Sequence, residues 1–136
     1  MADWAAVAAG FEARLATISG LHAYSEWPDQ LNVPAAIVIP ASPTFILDAT
    51  FDGGMDAEFD IVVLTTRTGG DARSQVALLS YFASDGEHSI RAAILGDETL
   101  DGSCSDVIPL QVFGYGTYDH AGVSYTGMKA RWRVLI

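Results

Sequence analysis

Residues 70–106 read GDARSQVALLSYFASDGEHSIRAAILGDETLDGSCSD, and their pattern decides the fold. Gly69 and Gly70 break whatever strand precedes them. Asp71 is placed to cap a helix running to about Ala83, with Val76, Leu79 and Phe82 facing inward. Ser84-Asp85-Gly86-Glu87 fits a capping box, in which Ser84 and Glu87 satisfy each other's free N–H groups. A shorter helix follows, burying Ile90, Ala93 and Ile94, and Gly96 ends it. DETLDGS (97–103) is then a loop. Two adjacent helices enclosed by strand patterns point to helices segregated on one side of a sheet.

Outward toward the N-terminus, Asp3 can cap a helix from about Trp4 to Ile18. Trp4, Val7, Ala8, Phe11, Leu15 and Ile18 fall at the three-four spacing of one buried stripe. Gly10 weakens that helix by about 1 kcal/mol relative to alanine, and Gly20 is placed to stop it. LHAYSEW (21–27) alternates loosely and reads as a strand. PDQLNVP is a loop, and AAIVI (35–39), closed by Pro40 and Pro43, reads as a buried strand. Phe45, Leu47, Ala49 and Phe51 alternate up to the turn DGGM (52–55), and Ala57, Phe59, Ile61 and Val63 alternate after it. Such patterning predicts a long hairpin.

Outward toward the C-terminus, two strands flank Asp119-His120-Ala121-Gly122. In the last strand Met128, Ala130, Trp132, Val134 and Ile136 share one side, and Lys129, Arg131 and Arg133 the other. The expected fold is therefore α+β. A mostly antiparallel sheet with a long hairpin is flanked by an N-terminal helix and two central helices, in a single domain spanning 1–136.

The chain has 136 residues, is 50% hydrophobic and carries a formal charge of −10. This composition is globular. Gripping a polyanion needs clustered cations, so a nucleic-acid binder is a poor fit. One cysteine excludes an internal disulfide. No secretory pattern opens the chain, and no apolar run is long enough to span a bilayer, so the expectation is a soluble protein made in the cytoplasm.

Candidate chemistry is thin. His22, His88, His120 and Cys104 show no zinc-like spacing, and solvated or structural roles stand beside a Cys–His dyad assembled in space. Neither Ser103-Cys104-Ser105 nor FGYGTY (113–118) matches a nucleophile elbow or a phosphate loop, and the glycines of the latter suggest a bulge. Asp48, Asp52, Asp56, Glu58 and Asp60 crowd the first hairpin. They are read as a solvated tip, as a calcium loop whose spacing does not match an EF-hand, or as a negative ring if the hairpin lines a pore. Lys129, Arg131 and Arg133 form a basic strip: a charged edge, or the complement of the acidic hairpin of a neighbouring copy. Tyr24, Trp27, Tyr115 and Tyr118 lie near loops or strand ends and are candidate contact anchors. A small enzyme or ligand-binding domain would need a pocket with convergent polar groups.

A family resemblance rests on several patches. LATISGL (15–21), Pro28-Asp29 and Pro34-Ala35-Ala36-Ile37-Val38 are followed by Gln75, Leu78, Tyr81 and Ser89-Ile90-x-Ala92-Ala93-Ile94. Asp97-x-Thr99-Leu100-x-Gly102 and Tyr115-Gly116 complete the set. In this order they resemble the tail terminator proteins of long-tailed bacteriophages, in particular those infecting actinobacteria. Ser19 stands where that pattern has proline, and residues 41–60 do not follow it. The resemblance implies a sheet flanked by helices and a homohexameric ring at the head-proximal end of the tail tube, with no reaction and no cofactor. Its implied partners are further copies of itself, the tail tube protein and the head–tail connector or stopper. Genome DNA would pass through without specific binding, and no membrane is involved. The ring would reside in the neck of the virion after assembly in the host cytoplasm. Another head–tail connection protein, a stopper or adaptor, is the alternative.

Overall fold

A computed structural model describes residues 3–42, 45–47, 56–67 and 72–135. The first helix, α1 (Trp4–Leu15), begins where the Asp3 carboxylate accepts the Ala6 N–H at 3.1 Å. Val7, Phe11 and Leu15 recur every four residues and are fully buried. The helix stops one turn earlier than its apolar stripe suggests. Residues 16–18 tighten into i→i+3 turns, with Ile18 N–H on the Leu15 carbonyl at 3.0 Å, and Ile18 remains buried. Gly20 takes a positive φ of 82°, open to glycine without strain.

The strands are β1 (His22–Tyr24), β2 (Ala35–Pro40), β3 (Ile46–Leu47), β4 (Asp56–Arg67), β5 (Asp106–His120) and β6 (Val123–Leu135). They form one sheet in the order β1-β2-β4-β6-β5, with β3 beside β4. Only the β1–β2 pairing is parallel. Helices α2 (Ala72–Ser80) and α3 (Ile90–Leu95) join β4 to β5. The fold is thus a mixed helix–sheet domain with a mostly antiparallel sheet and three helices among the described residues. None of these helices is long and apolar enough to cross a membrane.

One sheet face is packed by the helices. Ala36 and Val38 of β2, Phe59, Ile61 and Val63 of β4, and Ala130, Trp132 and Val134 of β6 meet Phe11, Leu15, Leu78, Ile90 and Ile94. Phe11 bridges the layers, its ring 5.7 Å from Phe59 and 6.4 Å from Trp132. The opposite face has its own smaller cluster of Ala35, Ile37, Val62, Leu64 and Tyr125, with Tyr24, Leu31 and Val33 partly covering it. Burial on both faces explains why β2 and the centre of β4 read as continuous apolar runs.

The first expected hairpin is present as far as it is described, and the longest hairpin is β5–β6, closed by Ala121 and Gly122 at φ 52° and 79°. β4 also takes β2 and β6 as its main neighbours, because its residues are apolar enough for a central place. Ile46 and Leu47 do pair antiparallel with Ala57 and Asp56, while the DGGM turn lies outside the described residues, as does Asp71. Among the described side chains of α2 the buried one is Leu78, and Val76 and Leu79 are 67% and 51% exposed, so the inward face differs from the predicted one. Ser84 and Glu87 form no capping box; α3 is capped by Ser89, whose Oγ accepts the Ala92 N–H at 3.1 Å. Ser89 also donates to the Ala83 carbonyl at 2.6 Å, tying both helix ends together. Ala93 is only partly buried, and Gly96 closes α3 in a right-handed conformation.

Gly10 has a packing reason to interrupt a helix. A Cβ there would lie 2.7 Å from Leu100 Cβ and 2.9 Å from the Leu100 carbonyl oxygen. Leu100 is itself buried and held at φ 48°, so it has little room to yield. Gly10→Ala should therefore destabilise by roughly 1–3 kcal/mol, overriding the helix-propensity gain. A urea melt of the variant checks this; a rise in midpoint would show that α1 and the 97–103 turns are not in close contact.

Candidate interaction surface

Of the acidic and basic residues singled out above, Asp56, Glu58, Asp60, Lys129, Arg131 and Arg133 converge on the sheet face opposite the helices. β4 and β6 are antiparallel neighbours with Asp60 opposite Arg131 and Glu58 opposite Arg133. Asp60 is 2% exposed, and both its oxygens accept from Arg131, at 2.8 Å from Nε and 3.1 Å from Nη2. Arg131 also donates to the Ser42 carbonyl at 3.1 Å, and its guanidinium lies 4.8 Å from the Phe113 ring centre. The bond from the Asp60 carboxylate holds Arg131 further above its ordinary range. Arg133 Nη2 donates to Asp56 Oδ2 at 2.7 Å, while its buried Nε has no partner among the described residues. Lys129 sits 5.6 Å and 6.0 Å from the ring centres of Tyr118 and Phe113.

All three cations of β6 are thus engaged within their own chain. Asp56 and Asp60 belong to part-buried ion pairs within the sheet and not to a solvated hairpin tip. Asp48 and Asp52 lie outside the described residues, which leaves Glu58 as the partly exposed acid of the set. Tyr118 is half-buried and donates to the Gly114 carbonyl at 2.5 Å, and burial and then the Asp60 charge push its phenol up. Gly114, at φ 74°, marks the bulge foreseen in FGYGTY, where the β5–β6 register shifts between Phe113 and Gly116.

A second set of exposed residues was not singled out from the sequence. Among the described residues β5 is an edge strand, paired with β6 alone. Ile108, Leu110, Val112 and Tyr115 along it are exposed, Val112 by 50%. Together with Val76 and Leu79 of α2 they make six of the eight exposed large apolar side chains among the described residues. Val76, Leu79 and Phe82 are spaced three apart, and Phe82 leads into a pocket of about 200 Å³ lined also by Tyr81, Ile90, Arg91, Leu110 and Trp132. The pocket is mostly apolar with an Arg91 rim, suited to holding an apolar side chain. Burial pushes the Tyr81 phenol up. A usable signal existed in the sequence: residues 107–118 contain no charge at all, in a chain of 24 charged residues. Of the other aromatic anchors, Trp27 is 39% exposed and stacks on His120 at 5.0 Å, and His120 Nε2 lies 2.7 Å from the Pro28 carbonyl.

The residues that invited a catalytic reading are dispersed. His22 is on β1, His88 lies 3.5 Å from Glu87, and His120 is at the tip of the β5–β6 hairpin. Cys104 instead adjoins Asp97, Glu98 and Asp106. Burial, then the Asp106 and Asp97 charges, push its thiol up to about 11. A raised value keeps the thiol protonated through neutral pH, and the nucleophilic thiolate appears only as pH approaches 11. Ellman's reagent at pH 8 should therefore modify the native protein far more slowly than the urea-unfolded one, with the native rate climbing as pH rises. Equal rates at pH 8 would refute this environment. In the same turn Asp97 accepts from the Asp101 N–H at 2.8 Å and the Thr99 hydroxyl at 2.9 Å, which lowers its carboxyl. Glu98 is raised by sharing a hydrogen bond with Asp106.

A comparison with protein-family models finds none that matches this sequence, and a comparison with curated proteins finds no match.

Proposed function

We propose that this protein is a tail terminator of a long-tailed bacteriophage, forming a ring that caps the head-proximal end of the tail tube. The observation that carries the reading is the set of exposed apolar side chains along β5, with others on α2, on a strongly acidic chain. Such a surface suits lasting burial against other protein chains. The ordered motifs from Leu15 to Gly116 support the same assignment, and a sheet flanked by helices is compatible with it.

The mechanism is interfacial and needs neither a reaction nor a cofactor. The last ring of a growing tube presents an interface that recruits the next ring. A terminator covers it with a face that does not repeat the recruiting surface, and offers its other side to the head connector. A head-to-tail contact closes into a ring when its rotation closes. Six copies at −10 each would carry −60, which disfavours DNA phosphates sticking to the ring as the genome passes.

Electron microscopy of a lysate made without this protein, with purified protein added back, tests the reading. Over-long or ragged tails beside filled heads, corrected by add-back, are the expected result. Tails of normal length that fail to join heads would move the protein to the connector side, as a stopper or adaptor. Normal virions would overturn the assembly role.

A further inference from the structure

We infer that the β5 edge is covered by the β1 edge of a second copy of this chain, so that the sheet continues from one subunit into the next. The inference rests on the ring-forming reading only for the number of copies. Four observations carry it.

The sheet ends in β5 on one side and β1 on the other, and among the described residues no strand covers either outer edge. Edge strands left in water are usually blunted by charge. β5 has none between Val107 and Tyr118, and exposes Ile108, Leu110 and Val112 there. The strand directions also fit. β1 is parallel to β2, and each of β4, β6 and β5 reverses its predecessor. β5 therefore runs opposite to β1, and a head-to-tail repeat sets them antiparallel. Charge is compatible with this pairing: β1 (His22–Tyr24) carries no acid, so laying it against the uncharged stretch of β5 sets no like charges opposite each other on a chain of −10.

Cross-linking tests this in a Cys104→Ser background. Gln111→Cys on β5 and His22→Cys on β1 alter exposed positions. A short bis-maleimide should link the two variants when mixed, and neither alone. A protein carrying both should give a ladder that ends at a closed ring. Leu110→Lys with Val112→Lys, both at exposed sites, should cut the linked product about tenfold or more. Self-linking of the Gln111→Cys protein would overturn the inference in favour of a two-fold pair. No linked species in the mixture at about 1 mM protein would overturn it outright. The functional reading fails separately. A closed ladder from a protein that does not correct tails removes the terminator role and keeps the edge contact. Corrected tails without a ladder do the reverse.

Discussion

Trp132→Ala should lower folding stability by about 4 kcal/mol, the largest loss expected from a single apolar truncation in this chain. Trp132 is 2% exposed and heads the fully buried side chains by size. It stands on β6 between β4 and β5, faces Phe11 of α1 and lines the pocket under α3. Removing the indole therefore deletes contacts to two neighbouring strands and two helices at once. The rigid sheet behind it cannot collapse into the space. Against a total of about 5–15 kcal/mol for a domain, the variant should melt on the order of 10 °C lower. Urea denaturation followed by far-UV circular dichroism measures this without depending on the lost fluorophore. A loss below about 1 kcal/mol would mean that Trp132 is not the keystone of the helix-facing core.

Asp60→Ala should cost about 3 kcal/mol, for a different reason. The substitution leaves the Arg131 guanidinium, whose side chain is 17% exposed, without its bidentate partner. Most of the loss is the penalty of an uncompensated buried charge rather than the worth of the pair. The double variant Asp60→Leu/Arg131→Met should accordingly recover most of it, since both charges then leave the interior together. Equal losses in the single and double variants would show that the pair itself is the stabilising element. Glu58→Ala, on the same strand but partly exposed, should change stability by less than about 0.5 kcal/mol.

Elements governed by local rules were legible in the sequence. Asp3 caps α1 because a short carboxylate one residue before a helix reaches the free N–H groups whatever the rest of the chain does. β6 alternates buried Met128, Ala130, Trp132 and Val134 with Lys129, Arg131 and Arg133, because side chains on a strand point to opposite faces in turn. The Ala121-Gly122 turn and the Gly114 bulge were foreseeable for the same reason: each depends on a few adjacent residues.

What failed depended on distant neighbours. Val76, Leu78, Leu79 and Phe82 admit more than one inward face for α2, and the sheet below chose Leu78. Ser84 and Glu87 had the spacing of a capping box, yet Ser89 took the cap because the chain turns through residues 81–88 before α3 begins. The acids of β4 looked like a free cluster because their partners lie far along the chain, Arg131 at 71 residues from Asp60 and Arg133 at 77 from Asp56.

The sequence by itself determined which segments are helix or strand, the α+β class, and the two faces of β6, since periodicity and capping act within a few residues. Only the tertiary structure decided the strand order, which places β4 at the centre and β5 at the edge. That order pairs the acids of β4 with the cations of β6 and leaves an uncharged strand exposed. Pairing between strands is a choice among distant segments of similar apolar character, and the burial of both faces of β2 and β4 settles it.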